Sequence, residues 1–299
     1  MTTTTTTAED LFPTRLPTPT GFITRSQPAV WGSEGDGPFT ASELEAHDRR
    51  GYTVLDDFIT SDDVALYSGE LDRLAADPAL KDDPRMIAER TTGTVRSVFE
   101  IEKLSSVLEA LARDPKVLDR ARQIVGSEVY LHQTRINYMP SFTGTGFYWH
   151  SDFETWHAED GMPVPRAVSL SIALTDNYPF NGGLMVMPGS HRTFVPAVGE
   201  TPDNNHEQSL QAQEAGVPSH VAITAMADEY GIDQFTGAAG SALWFDSNIM
   251  HGSGNNITPY ARSNVFMVFN SVDNALVDPF AAKSPRPGHI ANRDFTPLG

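Results

Sequence analysis

The spacing of apolar residues changes partway along the chain, and that change limits the fold more than any single motif. Before Gly126 apolar residues recur at helical spacing; after it they alternate. A short polar helix over Thr40 to Arg50 leads into a strand carrying Tyr52, Val54 and Leu55. Thr60 and Asp63 form a capping-box pattern ahead of Val64, Tyr67, Leu71 and Leu74, and Pro78 ends that helix. Further helices are expected over Leu104 to Leu111 and, after Asp114 and Pro115, over Val117 to Ile124.

The second part reads as strands. Val129 to Met139 carries polar groups on both faces, so it belongs beside a cavity rather than in a dry interior, where each polar atom needs a partner. In Ala167 to Thr175, bulky Val168, Leu170, Ile172 and Leu174 alternate with small Ser169, Ser171 and Ala173, as on a strand facing a ligand-sized space. Leu184 to Met187, Ser241 to Phe245 and Ser263 to Asn270 follow, separated by glycine-rich turns. Early helices and late strands predict a mainly β chain with helical additions, built on an antiparallel barrel or jelly roll.

The 299 residues suffice for one large domain. The expected division is a disordered tail over 1–20 and a single domain over 21–299. Within that domain, 40–125 is helix-rich, about 126–272 forms the core, and 273–299 is a tail wrapped over the surface. The segment holding Val30 and Trp31 should pack on the outside. Lys283, Arg286, His289 and Arg293 read as surface charges of the C-terminal tail, facing an acidic body.

Lys and Arg number 21 against 39 Asp and Glu, a formal charge of −18, which argues against nucleic acid or an anionic membrane as partner. There is no cysteine, so any metal must be held by nitrogen and oxygen. The first residues lack the basic start and apolar run of a signal peptide, and no stretch approaches a membrane span. A soluble cytoplasmic protein is expected.

The densest chemical signal is FYWHSDFETWHAEDG at 147–161. His150 and Asp152 stand two apart, so on an extended segment both leave one face and converge on one ion. His251, after a short apolar strand, offers a remote third ligand. Two imidazoles and a carboxylate with open positions make the facial triad of non-haem Fe(II) oxygenases. Arg262, eleven residues further on, presents a fork suited to a carboxylate. His191 is better read as a hydrogen-bonding residue. Ser241, Asp246 and His251 lack the elbow motif of a hydrolase.

On these residues, above all the run Phe147 to Gly161, the chain resembles the ectoine hydroxylases. They are a bacterial branch of the phytanoyl-CoA dioxygenase-like Fe(II)/2-oxoglutarate dioxygenases. The likeness spans roughly 270 residues. It implies a double-stranded β-helix core, Fe(II) held by His150, Asp152 and His251, and a homodimer. It implies hydroxylation of ectoine to 5-hydroxyectoine, with 2-oxoglutarate and O2 as cosubstrates giving succinate and CO2. On the same pattern Asn137 and Arg262 contact 2-oxoglutarate, while Gln133, Trp156, Ser171 and Phe269 contact ectoine. Taken alone, the residues leave two other readings open: a hydroxylase of another small zwitterion, and a cupin-like metal-dependent binding protein without turnover.

Overall fold

The computed structural model describes residues 9–89, 92–210 and 215–299. Its strands in chain order are β1 (Ile23–Thr24), β2 (Tyr52–Leu55), β3 (Met86–Ala88), β4 (Val95–Phe99), β5 (Val129–Met139) and β6 (Ala167–Ala173). They continue as β7 (Leu184–Val186), β8 (Thr193–Phe194), β9 (Asp233–Gln234), β10 (Ala242–Asp246), β11 (His251–Ser253) and β12 (Arg262–Ser271). Seven of them form one antiparallel sheet in the order β2-β10-β6-β12-β5-β4-β3; β11-β7-β9 form a second, and β1 pairs with β8. The architecture is a jelly-roll core flanked by helices, the double-stranded β-helix the sequence predicted.

The helices begin where the caps are. Thr40 and Thr60 each accept from the backbone three residues on, opening α1 (Ala41–Arg50) and α2 (Ser61–Ala75). After α3 (Ile101–Leu104) the backbone of Ser105 is extended, and its hydroxyl caps α4 (Ser106–Ala112). The helix expected over Leu104 to Leu111 therefore starts two residues late, because Ser105 satisfies the amide of Leu108 better from outside the helix than within it. Asp114 and Pro115 open α5 (Pro115–Val125).

Each face of the large sheet has its own partner. Val168, Leu170 and Ile172 of β6 and Val265, Met267 and Phe269 of β12 pack against Leu71, Leu108, Val117, Ile124 and their neighbours from the helices. On the other face Ala173, Leu243, Phe245 and Phe266 meet Val186 of the second sheet. Between the two sheets this second face opens into a cavity.

Two expectations change, and three elements are additional. Strands β3 and β4, which extend the sheet beyond β5, and the helix His220–Tyr230 carry weak sequence signals and were not anticipated. Residues 1–8 of the expected disordered tail lie outside the described residues, but the tail does not run to residue 20. Phe12 is buried edge-on against Phe153 and Phe194, and Arg15 is buried among carboxylates. The C-terminal segment is not a purely surface tail, because it buries Arg286, Ile290 and Ala291. His206–Ser209 forms one helical turn. Trp31 packs on the surface as expected, under the Arg166 guanidinium with 4.3 Å from Cζ to the ring centroid.

Phe269 lies fully buried at 0% exposure, stacked on Trp244 on the helix side of the sheet. Phe269→Ala should therefore cost about 3–5 kcal/mol of stability, seen as a lower denaturant midpoint at unchanged slope. A loss below about 1 kcal/mol would contradict this packing.

Candidate active site

The first two ligands do not share one strand, as the spacing had suggested. His150 forms an antiparallel bridge with His251, exchanging two backbone hydrogen bonds of 2.9 Å. The chain is still extended at Ser151, and Asp152 opens a helical turn, Asp152–Thr155, that runs on into a π-helical turn, Trp156–Asp160. Gly161 ends that turn at φ 81°, where a Cβ would lie 2.2 Å from the Val277 carbonyl oxygen. The bridge and the turn together bring three buried groups to one point. Asp152 Oδ1 lies 3.6 Å from His150 Nε2, Oδ2 lies 3.8 Å from His251 Nε2, and one ligand atom from each residue fits within 4.8 Å of the others.

Hydrogen bonds set the tautomers. His150 Nδ1 faces the Tyr148 carbonyl at 2.7 Å and His251 Nδ1 faces that of Ile249 at 3.0 Å. A carbonyl only accepts, so each Nδ1 carries the hydrogen and each Nε2 keeps its lone pair toward the centre. Burial, with His150 nearby, pushes His251 down to about 4, so its ring is neutral at physiological pH. Burial alone would raise Asp152. Whenever the His251 and His150 rings carry a second proton, their charge, together with that of Arg135, outweighs this and lowers the carboxyl. Two neutral Nε2 donors and one carboxylate suit a divalent first-row metal.

A cavity opens beside this centre, lined by Gln133, Arg135 and Asn137 from β5, Arg262 and Phe266 from β12, and Trp156 and Glu159 from the π-helical turn. Arg96, Phe147 and Arg286 complete much of its wall. Pairing across the sheet explains the grouping, because Phe266 lies opposite Arg135 and Asn264 opposite Asn137. Arg262 is buried; its Nη1 donates to Asn264 Oδ1 at 2.9 Å while Nε has no partner among the described residues. Burial lowers it to about 10, so it stays a cation at neutral pH. Asn137 Oδ1 accepts from the Ser97 hydroxyl at 2.8 Å, Gln133 Nε2 donates to the Ile290 carbonyl at 2.7 Å, and Arg135 donates to Gln133 Oε1.

Two of the expected ligand contacts do not reach the cavity. Phe269 faces the helices, because β12 places residues an even number apart on one face, and Arg262 and Phe266 share the other. Ser171 lies on the correct face but one strand further along, where its hydroxyl accepts from Asn264 Nδ2 at 3.1 Å and so supports the residue that holds Arg262. Phe266 could have been found by counting in twos from Arg262. No comparable signal marks Arg96, which pairs with Glu89 at 2.6 Å, or Arg286. His191 faces the Asp48 carbonyl at 3.0 Å, as expected of a hydrogen-bonding residue, and Asp246 pairs with Arg25, so no hydrolase triad assembles.

The chain matches the phytanoyl-CoA dioxygenase (PhyH) family over residues 47–264. It is 61% identical over 289 residues to an ectoine dioxygenase of Nocardia farcinica, covering 97% of this chain and 95% of that one. It is 58% identical to an ectoine dioxygenase of Streptomyces coelicolor over the full length of both. Among solved structures, EctD from S. alaskensis with 2-oxoglutarate and 5-hydroxyectoine superposes with a TM-score of 0.87 at 43% identity, covering 95% of each chain. With the facial triad and its cavity in place, this protein belongs to the phytanoyl-CoA dioxygenase family.

Proposed function

We propose that the protein hydroxylates ectoine to 5-hydroxyectoine, coupled to oxidative decarboxylation of 2-oxoglutarate to succinate and CO2. The observation that carries this reading is the cluster of His150, Asp152 and His251 opening onto a cavity that holds the buried Arg262 cation. The near-full-length identity to ectoine dioxygenases supports the choice of substrate. Fe(II) bound by the two Nε2 atoms and the Asp152 carboxylate supplies the redox chemistry with O2. Arg262 and the amide of Asn137 orient the oxo acid. Trp156, Gln133 and, in place of Phe269, Phe266 orient ectoine, whose delocalised ring cation suits an aromatic face. No helix among the described residues is long and apolar enough to cross a membrane, and we assign the protein to the cytoplasm. Anaerobic loading with Fe(II), then addition of O2, 2-oxoglutarate and ectoine, should give a product one oxygen atom heavier. Metal binding without ectoine-dependent succinate would indicate a binding protein instead.

Alanine at His150, Asp152 or His251 should abolish turnover while leaving cooperative unfolding intact. Full activity in two of the three variants at matched Fe(II) would sink the ligand assignment. Arg262→Ala should raise the 2-oxoglutarate requirement by about 2–5 kcal/mol of lost interaction, since it removes a charged partner from a buried site. Arg262→Lys should recover only part, lacking the planar fork. Unchanged oxo-acid dependence in both would exclude that anchor.

The aromatic contacts give a further separation. Trp156→Ala and Phe266→Ala should weaken anaerobic ectoine binding far more than 2-oxoglutarate binding, each cation–π contact contributing about 0.5–2 kcal/mol. Folded Phe269→Ala protein should bind both ligands nearly as the parent does. A selective loss of ectoine in Phe269→Ala would restore the sequence expectation.

A further inference from the structure

We propose that Asp160 is a positioning residue that fixes Arg286 as an anion anchor at the organic-substrate end of the cavity and, through His132, steadies the Trp156 ring. The inference rests on ectoine being the substrate and asks what shapes the wall that meets it. Arg286 comes from the C-terminal segment and lines the cavity. Its Nε and Nη2 donate to the two oxygens of Asp160 at 2.7 and 2.6 Å, a bidentate pair that fixes the plane of the guanidinium. Nη1 donates to none of the described residues, which leaves N–H groups for a ligand carboxylate.

The same carboxylate reaches a second wall residue, Trp156, only through His132, which lies behind the cavity lining. Asp160 Oδ2 lies 3.3 Å from His132 Nε2, and both side chains are 0% exposed. His132 occupies a bulge in β5, where pairing with β12 steps from Gln133 opposite Val268 to Leu131 opposite Phe269. The unopposed residue is free to turn its ring, which meets Trp156 edge-on at 5.0 Å between centroids and 66° between planes. Asp160 is itself held from outside the cavity, since Arg293 Nη2 donates to its backbone carbonyl at 2.6 Å. One carboxylate thus joins a cation and an aromatic face that lie on the same cavity.

A merely structural ion pair would stabilise the fold without favouring either ligand, so the test compares ligands. Dissociation constants for ectoine and for 2-oxoglutarate are measured anaerobically with Fe(II) in the parent, Asp160→Asn, Arg286→Ala and the double variant. Asp160→Asn should weaken ectoine about 10- to 100-fold, the scale of a small misplacement of a positioned group, and leave 2-oxoglutarate within about twofold. In the Arg286→Ala background the same change should add only the smaller loss carried by Trp156. Equal losses for both ligands, or an undiminished ectoine loss in that background, would overturn the proposal. Should Asp160→Asn not fold, Asp160→Glu keeps the charge but displaces it by a methylene. Selective weakening of ectoine there supports the assignment, and unchanged affinity overturns it. Failure of the parent to bind ectoine would instead overturn the substrate reading.

Discussion

Side-chain parity along β12 decides what the cavity contains. The strand is hydrogen-bonded on both sides, to β5 and to β6, so it can neither rotate nor slide by one residue without breaking two ladders. Arg262, Asn264 and Phe266 face the cavity side, while Val265, Met267 and Phe269 sit in the core beneath the helices. A one-residue slip would bury a guanidinium among leucines and drop three apolar side chains into the site. The packing of α2, α4 and α5 therefore maintains the polar face from behind. The bulge at His132 belongs to the same constraint, because it lets Leu131 join the core while Gln133, Arg135 and Asn137 continue to line the cavity.

Charge inside the cavity runs opposite to charge outside. A chain with a formal charge of −18 lines its cavity with Arg96, Arg135, Arg262 and Arg286. A buried cation is costly unless compensated, and the four are compensated unequally. Arg96 has Glu89 and Arg286 has Asp160; Arg135 donates to the neutral amide of Gln133 but lies in the field of the Asp152 carboxylate, whereas Arg262 meets, among the described residues, only the neutral amide of Asn264. An entering carboxylate gains most where the cation lacks a charged partner, so the strongest anion site lies at Arg262. The acidic exterior still disfavours large polyanions, while a small ligand that enters the cavity meets the opposite field.

How much of this was legible depended on whether a residue acts through local pattern or through distant packing. Strand β5 was read to its ends because eleven residues with polar groups on both faces admit few other placements. The triad was legible because three ligands with a metal's spacing rarely meet by chance, although the turn at Asp152 was not: extended and helical chains can both bring residues two apart to one ion. Phe269 was misplaced because identity outweighed parity, since VFMVFN offers two phenylalanines and only counting from Arg262 separates them. Arg286 was hidden among prolines and glycines, where nothing local tells a solvated arginine from one paired with a carboxylate 126 residues away.

That last failure has a physical root in the metal-bearing turn itself. Asp152 to Asp160 is a short helical and π-helical stretch that buries Glu154, Glu159 and Asp160, three carboxylates that need partners the stretch cannot supply. Both ends of the chain supply them. Arg15 reaches Glu154 at 2.8 Å and Glu159 at 3.0 Å, Asp10 meets His157 at 2.9 Å, and Arg286 holds Asp160. Residues 47–264, which carry the family likeness, contain the metal ligands and Arg262 but none of these partners. The flanks therefore belong to the cavity: the shared core carries the three clustered ligands and the Arg262 cation, and the terminal segments set the shape and charge of the wall beside them.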